Sequence, residues 1–223
     1  MLRCLAMSNA SSIPVTRLLV GAAADHRLDR VVGAPSSRTS VFVPTLNAAG
    51  NAFGVPGRFA PPAARGMRAW IDGTEELRLR LHGLGWQVPE RATLDAAGLV
   101  ISPNGETAIA MVSGDGATGR PGYRPQVRYA RGRVASEVVQ GVLFEEFAEV
   151  SRTTQLWFLM HEIGLDGWNA ELALPLGVGK GGWITGWRER LQIVEDRPGG
   201  RDESATDTGP ELRAPTVRWR DPA

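Results

Sequence analysis

Short apolar runs bounded by turn residues, rather than one long amphipathic period, organise the middle and end of this chain. Leu99-Val100-Ile101 and Ala108-Ile109-Ala110-Met111-Val112 flank Pro103-Asn104-Gly105. An Asn-Gly turn between apolar runs is a strong short-range hairpin signal, so a hairpin is expected over 99–112. Further on, Gln155 to Glu162, Trp168 to Leu176 and Trp183 to Val194 are separated by Asp166-Gly167 and by a glycine-rich turn through Lys180. This spacing predicts a three-stranded antiparallel meander over 155–194. Alternation puts Trp168, Ala170, Leu172, Leu174 and Leu176 on one face of its second strand. In the third strand it places Trp183, Thr185, Trp187, Glu189, Leu191 and Ile193 together.

Two stretches carry a helical pattern. Asp72 stands three residues before Glu75 in the manner of a capping box, Leu77, Leu79, Leu81 and Leu84 follow, and Gly83 and Gly85 supply a stop. A helix is expected over 74–84. Val134, Val138, Val139, Val142, Leu143 and Phe147 recur at helical spacing and predict a second helix over 134–148. Residues 1–62 are rich in Ala, Ser, Gly, Pro and Asn without a sustained period and read as an irregular arm ending at Pro61-Pro62. Residues 196–223 hold almost nothing apolar and read as a disordered tail. The expected fold class is α+β: a mainly antiparallel sheet within a core domain over 63–195, with a few covering helices.

Composition changes this picture in three ways. With 43% apolar and 22% charged residues and a net charge of +1, the chain of 223 residues is globular and carries no global bias toward polyanions. Any basic function is therefore local. Lys180 is the only lysine among 25 basic residues, a bias that fits a bacterial-type, GC-rich genome and leaves lysine-dependent chemistry a single residue. Cys4 is the only cysteine, so no disulfide or thiolate cage forms within the chain. Met1 to Ala10 is too short in apolar residues for a signal peptide, no run reaches the ~20 residues of a membrane span, and a cytoplasmic setting is expected. Met1 and Met7 remain alternative starts, and the sequence names no cofactor.

The densest candidate chemistry lies at 120–133, where Arg120, Arg124, Arg128, Arg131 and Arg133 interleave with Tyr123 and Tyr129 and no acid intervenes. Arginines grip phosphates and tyrosine faces stack on bases, so this segment points to nucleic acid or an acidic protein partner. In an extended chain Arg120, Arg124 and Arg128 project to one side. The bland alternative is a solvated edge whose arginines pair with Glu145, Glu146 or the acidic tail. A second set, Asp115 with His161, Glu162 or Glu106, has the residue types of a metal-assisted hydrolase or nuclease. Neighbours on a strand face opposite ways, however, so His161 and Glu162 cannot share an ion without a bulge. Asp115 read blandly caps its own turn. Gly177-Val178-Gly179-Lys180 lacks the spacing and the helix of a phosphate loop, no Gly-x-Ser-x-Gly elbow occurs, and Asp207-Thr208-Gly209 lies in the tail. Of the two readings, a non-enzymatic binding protein is preferred to the hydrolase.

Overall fold

The computed structural model describes residues 16–90, 98–128, 154–179 and 182–194. They form three helices and a six-stranded mixed sheet. In chain order these are β1 (Leu18–Leu19), α1 (Gly21–Val32), a π-helical turn (Arg38–Phe42) running into α2 (Val43–Gly54), α3 (Ala64–His82), β2 (Leu99–Ile101), β3 (Thr107–Ser113), β4 (Gln155–Gly164), β5 (Gly167–Val178) and β6 (Ile184–Ile193). Across the sheet the order is β1-β6-β5-β4-β3-β2. The hairpin β2–β3 and the meander β4–β5–β6 are antiparallel, while β1 with β6 and β3 with β4 are parallel. Among the described residues no helix is long and apolar enough to cross a membrane.

The helices cover one face of this sheet. α1 buries Ala24, Leu28, Val31 and Val32, an i, i+4, i+7, i+8 stripe, and ends at Gly33 with φ +81°. α3 buries Ala69, Gly73, Thr74, Leu77 and Leu81. These stripes, with Phe42 and Leu46, meet Trp157 and Leu159 of β4, Leu172 of β5 and Leu191 of β6 in the main core. The opposite face carries Leu156, Phe158, Met160, Ala173, Ile184 and Trp187 in a second cluster, to which Val127 adds from outside the strands.

Three expectations are corrected. Most of the stretch read as an irregular arm, 21–54, folds into α1, the π-helical turn and α2. Its alanines are the best helix formers, and its small residues admit close packing, as where Gly50 meets Trp168. α3 begins at Ala64, directly after the prolines, and Asp72 lies inside it; Ala, Arg and Met in 64–71 extend the helix backward. In β6 the face assignment holds for Leu191 and Ile193 but not for Trp187. The register steps from Leu174↔Glu189 to Pro175↔Trp187, so Arg188 is bulged out and Trp187 turns to the face away from the helices. The helix expected over 134–148, the turn at Lys180 and the tail lie outside the described residues.

Candidate functional site

The face away from the helices is crossed by the chain that leaves β3. Residues 114–128 run from the end of β3 over β4 to β5 and return to pair beside β3, a strap whose backbone is held by side chains from the sheet below. Gly119 donates its N–H to Glu171 Oε2 at 2.9 Å and accepts from Gln192 Nε2 at 2.8 Å. Arg190 Nη1 donates to the Tyr123 carbonyl at 2.8 Å, and Trp187 Nε1 to that of Pro125 at 2.9 Å. The return closes with Asp115 N–H on Gln126 O and Arg128 N–H on Ser113 O.

Two of these four anchoring side chains are charged and pair with each other. Glu171 and Arg190 form a bidentate pair, Nε to Oε1 at 2.9 Å and Nη2 to Oε2 at 2.6 Å, with side chains 0% and 1% exposed. A buried charge is tolerated where an opposite charge and further hydrogen bonds satisfy it. Here the spare capacity of both ions goes to the strap backbone, through Gly119 and Tyr123. Gly119 has to be glycine: its φ is +72°, and a Cβ would stand 3.1 Å from the Ala170 carbonyl.

Because the strap's backbone polar groups point inward, several of its side chains point out. Arg120, Tyr123, Arg124 and Arg128 are exposed, Tyr123 to 60%. They do not form the single row expected of an extended chain, since Gly119 and Gly122 take positive φ and the strap turns between them. Arg120 lines a polar cleft of about 560 Å³ at the end of β4 with Glu162, Asp166, Asn169 and Gln192. Arg128 lies beyond β3, so three strand spacings, roughly 14 Å, separate it from Arg120. Tyr129, Arg131 and Arg133 lie outside the described residues.

The proposed hydrolytic set is only partly brought together. Asp115 Oδ1 accepts from the Ala117 N–H at 3.1 Å, closing a local Asx turn. Glu162 reaches the neighbouring Gly116, but His161 shares the helix-side face with Leu159 and Ile163, opposite to Glu162. Glu106, bonded to Asn104 in the hairpin turn, is a full strand length from Asp115, roughly 20 Å. Among the described residues no three His, Cys, Asp or Glu side chains stand close enough to hold a metal ion. His161 is buried, and neither ring nitrogen has a hydrogen-bond partner among the described residues. Its pKa falls from 6.5 to about 4, through desolvation first and the nearby Arg128 charge second.

Sequence reasoning missed Glu171, Arg190 and Gln192. One signal was present: Glu171 interrupts an otherwise apolar central strand, and a charge there requires a partner. A second cleft of about 610 Å³, at the end of α3 between His82, Trp86 and Ile101, shares no lining residue with the first. No family model, curated protein or solved structure matches the chain, so the strap and its buried anchor are what a functional reading has to rest on.

Proposed function

We propose that this is a non-enzymatic binding protein whose strap engages single-stranded nucleic acid. The observation that carries the reading is the inward use of the strap's backbone groups by Glu171, Arg190, Gln192 and Trp187, which fixes the exposed Arg120, Tyr123 and Arg124, with the exposed Arg128 where the strap returns to β3. Preorganised arginines meet phosphates without a large ordering cost, and Tyr123 supplies a face on which a base stacks whatever its identity. The roughly 14 Å reach of the strap suits a few consecutive nucleotides of a flexible strand. Glu162 and Asp166 beside Arg120 oppose a polyanion there, so the contact centres on Tyr123 to Arg128.

Fluorescence anisotropy of labelled single-stranded and duplex oligonucleotides, at low and moderate salt, tests this. The two arginines of that stretch, Arg124 and Arg128, give a log–log salt slope of about −1.4, at roughly −0.7 per phosphate. The Arg120→Ala/Tyr123→Ala/Arg124→Ala variant loses at least about fivefold in affinity from the stacking contact alone. Binding that ignores salt, or that survives in this variant, removes the proposal. Binding of an acidic polypeptide in place of either oligonucleotide transfers the surface to a protein partner.

A further inference from the structure

A second exposed surface lies on the helical layer, where α2 passes into α3. Val55, Phe59, Met67 and Ile71 are 74%, 89%, 62% and 42% exposed. Large apolar side chains grouped this way on a surface ordinarily mark a contact. The loop between the helices is pinned rather than loose. Arg65 donates to the carbonyls of Phe53 and Pro56 and lies over the Phe53 ring, tying the chain before Phe59 to the helix after it. Arg58 stacks on the Phe59 ring at 4.7 Å. Met67 and Ile71 stand one turn apart on α3 and share a face.

The chemistry of this stretch selects among partners. No acidic residue occurs between Asp29 and Asp72, and from Ala52 to Ile71 every residue is apolar, Gly, Pro or Arg. A protein interface is read by hydrogen-bonding side chains as well as by apolar ones, at roughly one hydrogen bond per 100–200 Å². Here Ser, Thr, Asn and Gln are all missing, while the two attributes that a bilayer surface recognises, apolar depth and positive charge, are both present. We infer that the α2–α3 corner docks on an anionic lipid surface, with Phe59 and Met67 entering the headgroup boundary and Arg58 and Arg68 contacting lipid phosphates. This is surface docking, independent of the strap and of its ligand.

Co-sedimentation of the full chain with vesicles tests it, using phosphatidylcholine alone and phosphatidylcholine with one-third phosphatidylglycerol. The wild type binds the anionic vesicles, and Phe59→Asp weakens that binding by about tenfold or more, the worth of one buried aromatic side chain. Arg58→Ala/Arg68→Ala weakens it by about 30-fold, at the strength expected per basic residue near such a surface. All three positions are exposed, and unchanged circular dichroism confirms that the variants fold. Arg65 is left in place because it holds the loop. Equal sedimentation with both vesicle types overturns the inference. So does binding that survives Phe59→Asp but disappears in Arg120→Ala/Tyr123→Ala/Arg124→Ala, which would assign the vesicles to the strap. A concentration-dependent rise in mass without vesicles, abolished by Phe59→Asp, would also overturn it by showing that a second copy covers the patch.

Discussion

If the Glu171–Arg190 pair anchors the strap, removing one charge destabilises the domain more than removing both. Glu171 accepts three hydrogen bonds, at 2.9 and 2.6 Å from Arg190 and at 2.9 Å from Gly119, with no exposed surface to let water replace them. Glu171→Gln keeps the shape, deletes the counter-charge and turns one acceptor into an amide nitrogen facing N–H donors. Breaking a buried pair in this way costs about 3–5 kcal/mol, a fifth or more of a total of about 5–15 kcal/mol. With a urea m-value of about 2–3 kcal/mol/M, the unfolding midpoint drops by roughly 1–2.5 M. Tryptophan fluorescence follows the transition. Glu171→Leu/Arg190→Met replaces both ions with apolar groups and recovers part of the lost midpoint, the remainder being the about 1–3 kcal/mol cost of leaving the buried Gly119 N–H without an acceptor. In that variant the Gly119 amide proton, stripped of its acceptor, exchanges faster. A Glu171→Gln cost below about 1 kcal/mol, the range of an exposed ion pair, would refute the anchoring role. Unchanged Gly119 exchange in the double variant would refute it equally.

Two further outcomes follow from groups in the helix-side core. The folded pKa of His161, about 4, lies below the 6.5 of the unfolded chain, so between these values only the unfolded state binds the proton. Stability is complete above about 6.5 and is lost as the pH falls toward 4, by roughly 3 kcal/mol over that window. His161→Leu flattens this part of the profile of urea midpoint against pH, and a slope that persists in the variant would assign it to other groups. At Gly73, alanine is the better helix former by about 1 kcal/mol. Its Cβ, however, would meet Met111 Cε and Sδ at 2.6 Å and Ala49 Cβ at 2.9 Å. Overpacking of about 1–3 kcal/mol outweighs the propensity, so Gly73→Ala lowers Tm in a calorimetric scan, and a raised Tm would refute the close approach.

The α+β class, the 99–112 hairpin and the three strands of the meander were legible because strand alternation and turn chemistry are local. Asn104-Gly105 and Asp166-Gly167 mark their turns in two letters each. The helices over 21–54 were not legible, since alanine-rich sequence reads as a loop until a sheet is present for Leu28, Phe42 and Leu46 to pack against. The inversion of Trp187 was hidden for a related reason. A bulge at Arg188 is a property of the pairing with β5, and it breaks a two-residue period that the sequence continues without interruption.

The exposed chemistry of the candidate site was readable as residue types, and its architecture was not. Arginines and a tyrosine at 120–128 are visible in the chain as written, and their charge and ring faces are the same in any fold. By itself, then, the sequence determined the local elements and the chemical inventory. Only the tertiary structure decided that Glu171 and Arg190, nineteen residues apart, meet beneath a strap from elsewhere in the chain, and that His161 rather than Glu162 faces the helices. Burial, ion pairing and strap anchoring join residues distant along the chain, and no local period encodes which of them will meet.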